Sequence, residues 1–274
     1  MVDLMGARVS NIGIIARQVL SRDQNASVLG VTSRGIFLQT QQKKVIFLSR
    51  EKYRGPLTLN IEADDAFFEG INLGDRVIIH GGNLAFPKTG LTCSSKNADV
   101  WKPSDPPPLA NSKVEIKISL DRFAQLLPAQ PESFSNQELK ALNLSLRSFN
   151  PQQVASQLIL FLGKGAGLTP SGDDLIVGFL LALNRWGKDF LPFLKVKEPN
   201  LLLVQAAPLR TTSLSASLIE SAAQGMADER LILALDSLVT GVPDVEECIT
   251  CLRNYGNTSG RDAFMGMRIV LYGL

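Results

Sequence analysis

Apolar residues recur at two different spacings along this 274-residue chain. From Val9 to about Leu120 they come in short, β-rich runs. The stretch VLGVTSRGIFLQTQQKKVIFLSR holds three such runs, broken first at Gly35 and then at the polar QQKK. GPLTLNIE adds another. LGDRVIIHGGNLAF reads as two strands joined at Gly81-Gly82, a pair that tolerates the positive φ of a tight hairpin. VEIKISL, Val114 to Leu120, alternates with period two and predicts a half-buried strand. About seven short strands at this spacing point to a small barrel or sandwich. KPSDPPPL, Lys102 to Leu109, carries four prolines and reads as a rigid surface connection.

From about Arg122 the apolar spacing becomes helical. QPESFSNQ, Gln130 to Gln137, reads as the seam between the halves. Asn150-Pro151 is a helix start, with Asn as N-cap and Pro at the first helical position. Val154, Leu158, Phe161 and Leu162 line one face, and Gly163 ends it. Further helices are expected over 172–186, 214–226, 229–240, 244–254 and 260–272, with Asp228, Gly241 and Asp244 as punctuation. The expectation is an α+β protein: a strand-rich, barrel- or sandwich-like domain over 1–121 and an α-helical domain over 122–274.

Composition narrows the chemistry. With 45% apolar residues, the chain has enough material for one large core or two ordinary ones. Twenty-eight basic and 26 acidic residues leave a net charge of only +2, which argues against nucleic-acid binding driven by a broad basic field. The longest apolar run, Leu175 to Leu183, is about half of what a membrane span needs. Asp3, Arg8 and Arg17 interrupt the N-terminal apolar pattern, so a secretory signal is not expected, and a cytoplasmic protein is. Cys93, Cys248 and Cys251 are too few and too uneven for a disulfide scaffold. Cys248 and Cys251 form a lone CxxC; they read as buried core cysteines, not zinc ligands. A single histidine, His80, at a strand end, leaves no multi-histidine metal site within one chain. Trp101 and Trp186 are expected to cap cores.

The richest segment is Gly163 to Gly178, GKGAGLTPSGDDLIVG. Gly163, Gly165 and Gly167 allow backbone conformations closed to other residues, and such loops can turn successive N–H groups toward an anion. Lys164 adds a cation, and Thr169 and Ser171 add hydroxyls. Ser171 is the expected N-cap, with Asp174 reaching back from N3 and Asp173 left spare. The helix beyond is apolar nearly all round and should be buried. This is not a P-loop, because Asp173-Asp174 follows Gly172 where Lys-Ser or Lys-Thr is required, nor is it a dinucleotide fingerprint. A spare carboxylate at a helix N-terminus would repel a bare phosphate. It leaves two ligand classes: a phosphate bridged by a divalent cation such as Mg²⁺, or a substrate presenting N–H donors, such as a carbamoyl group.

A second copy lies near the C-terminus. Ser259-Gly260-Arg261-Asp262 with Gly266 repeats Ser171-Gly172-Asp173-Asp174 with Gly178, and each copy follows a threonine, Thr169 or Thr258. The two helices are expected to cross at Gly178 and Gly266, which brings their N-termini together. Arg261 stands where the first copy has Asp173, so the copies differ electrostatically. A third cluster, LRTTSLSAS, offers Arg210 as a planar fork for an anion, with Thr211, Thr212, Ser213 and Ser215 at a helix start.

GLTPSGDDLIVGFLLAL, RTTSLSASLIESAAQG and GNTSGRDAFMGM together resemble the AllH-type subunits of oxamate carbamoyltransferase, over roughly residues 150 to 272. The resemblance implies carbamoyl transfer between carbamoyl phosphate and oxamate, or phosphorolysis of oxalurate in purine and allantoin breakdown, performed with other subunits. It implies Asp173, Asp174 and Arg210 as catalytic candidates. The motif positions it carries over, Gly165, Gly167, Thr169, Ser171, Gly172, Thr211, Thr212, Ser215, Ser259, Gly260 and Asp262, are candidates for substrate contact, and the residue reading adds Lys164. The resemblance names no certain cofactor, and Mg²⁺ stays open. The alternatives are a non-catalytic module that binds a small acid or phosphate, and a structural adaptor whose glycines only pack helices.

Overall fold

The computed structural model describes residues 6–63, 65–127 and 134–272. The chain divides into two compact units, Met1–Pro103 and Ser104–Leu274, in an α+β architecture.

The first unit is a closed barrel. Its strands are β1 (Gly6–Gly13), β2 (Asn25–Thr32), β3 (Gly35–Thr40), β4 (Val45–Ser49), β5 (Thr58–Glu62), β6 (Arg76–His80), β7 (Asn83–Phe86) and β8 (Leu91–Ser94). They pair in the ring β1-β5-β4-β3-β2-β6-β7-β8 and back to β1. The pairings are antiparallel except β4–β5 and β1–β8. A ninth strand, β9 (Asp99–Trp101), pairs with the second half of β1, beyond the residues that β8 occupies. Closure leaves no free edge in the ring. Alternation fills the interior: in β6, Val77 and Ile79 are buried while Arg76, Ile78 and His80 face outward. Cys93 joins Ile36, Leu38, Ile46, Leu48 and Leu84 in this core, and burial pushes its thiol pKa up to about 12. The β6–β7 turn is the expected one, with Gly81 and Gly82 at φ +57° and +80°. Helix α1 (Ile14–Arg22) follows β1 directly and buries Ala16, Val19 and Leu20.

The second unit is helical among its described residues. It contains α2 (Lys113–Leu126), α3 (Asn136–Arg147), α4 (Pro151–Ile159), α5 (Ser171–Phe190), α6 (Lys197–Arg210), α7 (Ser213–Ala222), α8 (Glu229–Thr240), α9 (Val245–Arg253) and α10 (Ser259–Leu271). The period-two reading of VEIKISL is overturned, because these residues form α2. Ile116, Leu120 and Phe123 are its buried residues, at i, i+4 and i+7, whereas Val114 and Ile118 are exposed. Ser112 and Glu115 close a capping box in front of them. The division therefore falls at Pro103/Ser104 and not at 121/122, since α2 packs within the helical unit. Part of the expected seam QPESFSNQ lies outside the described residues; its end caps α3 through Ser135.

Asn150 caps α4 as expected, accepting from the Gln152 and Gln153 amides at 3.0 and 3.1 Å. Helix α5 is the centre of the unit, with every residue from Gly172 to Leu183 buried. It is tied to α8 by Arg185, whose Nε and Nη2 donate to Asp236 at 3.2 and 2.6 Å, and by Trp186 Nε1, which donates to the same carboxylate at 3.1 Å. Cys248 and Cys251 are buried and form no disulfide among the described residues. No helix among the described residues is long and apolar enough to cross a membrane.

Candidate functional site

Two helix hairpins build the site, and they are near copies of each other. In the first, α4 leads through the glycine loop into α5; in the second, α9 leads through a tighter loop into α10. At the second position of each later helix stands a glycine. A Cβ on Gly172 would lie 2.9 Å from the carbonyl carbon of Phe161, and one on Gly260 would lie 2.8 Å from that of Leu252. The Gly172 amide donates to Lys164 O at 2.8 Å and the Gly260 amide to Tyr255 O at 2.9 Å.

The two later helices then cross as the glycine spacing predicts. A Cβ on Gly178 would sit 2.8 Å from Ala263 Cα and closer still to its carbonyl oxygen. One on Gly266 would sit 2.5 Å from the Phe179 nitrogen and collide with the Leu175 carbonyl. Each glycine thus accepts the backbone of the opposite helix, and the crossing brings both N-termini to one place. Thr169 Oγ1 and Ser259 Oγ, one from each copy, lie 3.3 Å apart.

The third segment joins them. Thr211 donates its hydroxyl to Asp173 Oδ2, while the Gly163 amide donates to Oδ1 at 2.8 Å. Thr212 is the N-cap of α7: its Oγ1 accepts from the Ser215 amide at 3.0 Å and donates to Leu168 O at 2.7 Å. Thr212→Ala should therefore release both α7 and the loop. We expect it to cost about 1 kcal/mol, measured as a shift in the urea midpoint at unchanged slope.

The capping expectation is reversed. Pro170 is the N-cap of α5 and contributes no side-chain bond, so Ser171 is the first helical residue and Asp174 the fourth. Asp173, expected to be spare, is held on both oxygens by the loop and Thr211. Asp174 carries the oxygen without a partner. Its Oδ2 is buried and unbonded among the described residues, and so is Oδ2 of Asp262, its counterpart in the second copy. Both residues are at least nineteen-twentieths buried, at 2% and 5% exposure. Ser215 Oγ, beside Asp173, is likewise buried without a hydrogen bond of ordinary geometry.

Electrostatics separates the two copies. Burial lifts the pKa of Asp173, Asp174 and Asp262 alike. Asp174 is lifted furthest, well above the usual carboxylate range, because burial is reinforced by the negative charges of Asp262 and Asp173. The hydroxyls of Ser259 and Thr169 oppose this. Asp262 is relieved instead by the hydroxyls of Ser171 and Thr258 and by the positive charge of Arg261. The hydroxyls thus cross over between copies: Ser259 serves Asp174, and Ser171 serves Asp262. Burial is the first cause at both, and the Arg-for-Asp difference between the motifs adds to the contrast: Asp174 is raised further than Asp262.

The remaining expected residues fall around this centre. Gly165 and Gly167 adopt φ +118° and +93° at the exposed tip of the loop, and Gly163 has φ +72°. Lys164 is engaged by Glu138 and lies 5.8 Å from the centroid of Phe134, so its charge is shared with α3. That ion pair and the Ser135 cap draw the Glu138 pKa down to about 2. Arg210 contributes backbone to the site, its carbonyl abutting Gly163, while its side chain is exposed. The sequence reading missed Tyr255. Its phenol pKa is raised by burial and by the charges of Asp228 and Asp174, and Arg230 stands 5.1 Å from its ring centroid. No pattern in the sequence marks that tyrosine, because its neighbours come from α5 and the start of α8, both distant along the chain. Among the described residues no three of His, Cys, Asp or Glu gather into a metal-binding group. A cleft of about 1020 Å³ in the barrel unit and a depression of about 420 Å³ beside α3 and α4 are lined by other residues.

No solved structure matches the chain. Residues 161–271, from just after α4 to the end of α10, match the family described as oxamate carbamoyltransferase subunit AllH. All three converging segments lie inside that stretch, and through it the helical unit is similar to the AllH family.

Proposed function

We propose that this protein is a working subunit of a carbamoyltransferase and moves a carbamoyl group between carbamoyl phosphate and a small acid such as oxamate. In the reverse direction it would split oxalurate with phosphate. The observation that carries this reading is the pair of buried carboxyls, Asp174 and Asp262, each with one unpartnered oxygen and a pKa raised by burial, Asp174 the further. In the transfer, the amide nitrogen of oxamate attacks the carbamoyl carbon. The new C–N bond forms as the C–O bond to phosphate breaks, and the nitrogen gives up a proton. An ionised Asp262 would accept that proton, and a protonated Asp174 would donate a hydrogen bond to the carbamoyl oxygen or the leaving phosphate. The exposed amides around Gly165 and Gly167 and the free fork of Arg210 would hold the anionic end.

The family name supports the presence of other subunits, so the test uses the assembled complex. Phosphate release from carbamoyl phosphate and oxamate should require this chain. Asp262→Asn, which keeps shape but removes the base, should lower kcat by about 100-fold or more. Turnover in a complex lacking this chain, or full turnover with Asp262→Asn, would overturn the reading. The same glycine contacts and burial also favour a packing role alone; in that case Asp262→Asn would change stability and leave kcat in place.

A further inference from the structure

The barrel unit lies outside the segment that matches the AllH family, and it carries a cleft of its own. About 1020 Å³ opens between the end of α1, the outer face of β6 and the β8–β9 connection. That is at the upper end of the range for small-molecule sites, roughly 300–1,000 Å³.

Its lining is strongly one-signed. Arg17 and Arg22 come from α1, Arg76 from β6 and Lys96 from the β8–β9 connection, against a single carboxylate, Asp23. Four fixed cations face one anion here in a chain whose whole net charge is +2. Arg17, Arg22 and Lys96 make no ion pair or hydrogen bond among the described residues, so these charges are not spent on holding the fold. Arg76 is already aimed: its Nε and Nη2 donate to Asn25 Oδ1 at 3.3 and 2.9 Å, which fixes the fork and leaves Nη1 for a ligand.

The cleft also has an apolar wall. The period of β6 puts Ile78 between Arg76 and His80 on the outward face, and Ile78 is 37% exposed. Val100 of β9, 40% exposed, stands on the same cleft. Exposed branched aliphatics flanked by unpaired arginines suit a ligand with a flat apolar body and a doubly or more highly charged anionic tail. We propose that this cleft binds a nucleoside phosphate, with the base against Ile78 and Val100 and the phosphates on Arg17, Arg22, Arg76 and Lys96. Planar guanidinium forks match phosphate oxygens two at a time, which gives affinity that a bare surface lysine would not. Nothing in this proposal depends on carbamoyl transfer.

The test is calorimetric titration of the intact chain with ATP, ADP and AMP, with pyrophosphate, and with a short single-stranded oligonucleotide. A nucleoside di- or triphosphate should bind at least tenfold more tightly than pyrophosphate. The double variant Arg17→Ala, Arg76→Ala should weaken it at least tenfold without moving the unfolding temperature, because both side chains are exposed. Ile78→Ser should weaken nucleotide binding and spare pyrophosphate. Four results would each overturn the proposal: no nucleotide binding below millimolar concentration, equal affinity for pyrophosphate, preference for the oligonucleotide over every mononucleotide, or unchanged affinity in the double variant.

Discussion

Replacing Gly178 with alanine is expected to lower the unfolding temperature of the helical unit by about 6–12 °C, corresponding to about 3 kcal/mol. The intrinsic preference of a helix runs the other way, since alanine in a helix interior is favoured over glycine by about 1 kcal/mol. Packing must overturn that gain, and at Gly178 it does. The new Cβ would meet the carbonyl group of Ala263, its carbon at 2.5 Å and its Cα at 2.8 Å, and ordinary contact needs 3.4–4 Å. Backbone inside a buried helix cannot swing aside as a side-chain tip can. Helices α5 and α10 would have to separate along their length and open a gap among Leu175, Phe179, Phe264 and Met267, all at most 4% exposed. Gly187, farther along α5, is the control. A Cβ there meets Leu183 Cδ1 at 3.1 Å, the end of a flexible side chain, so Gly187→Ala should change stability by no more than about 1 kcal/mol. Thermal unfolding of the two variants side by side checks the comparison. Equal small effects would mean that the helices do not cross on their glycines.

Asp174→Asn is expected to make the protein more stable at neutral pH, by an amount on the order of 1 kcal/mol or more, because it removes the need to hold a charge in a buried site. The sign follows from linkage. Burial and the charges of Asp262 and Asp173 raise the Asp174 pKa in the folded protein above its value in the unfolded chain. The folded state therefore binds more protons than the unfolded one between those two values. The stabilisation is fully present below the unfolded pKa, about 3.9. It is lost as pH rises through the raised folded value, where a charge must be kept in a buried site. Asparagine stays neutral throughout. The gain over wild type should accordingly grow with pH and vanish in acid. Urea unfolding at several pH values between 4 and 8 reads this directly. A variant less stable than wild type at pH 8 would show that the Asp174 carboxylate is paired in a way that its unbonded oxygen contradicts. A natural residue that weakens its own fold is a mark of function, since stability and activity trade against each other at such sites.

How much of this was legible in the sequence depends on the length scale of each signal. The hairpin turns at Gly35 and Gly81-Gly82, the Asn150-Pro151 helix start and the buried helix after Gly172 are local, and each was read from a few adjacent residues. The crossing of α5 and α10 was legible because the motif repeats with its second glycine at the same offset, two turns in. VEIKISL misled because Val114, Ile116, Ile118 and Leu120 fit period two and only Phe123 reveals the helical stripe; the Ser112–Glu115 capping box was the stronger signal. Helix α6 left little trace: its apolar and polar residues are not segregated to faces, and Pro208 sits inside it. The division of labour between Asp173 and Asp174 was out of reach, because it turns on Pro170 taking the N-cap and on Thr211, 38 residues away, reaching back to Asp173. The closure of the barrel through β1–β5 and β1–β8 is equally non-local.

The convergence of three segments on Asp174 and Asp262 is either a ligand site or a way to pack helices, and one measurement separates them. Oxalurate is titrated into the assembled complex without phosphate, so that no transfer proceeds, using wild-type chain and Asp174→Asn. Binding at least tenfold weaker in the more stable variant is the predicted result; equal affinity in the two would leave the carboxyls as packing alone.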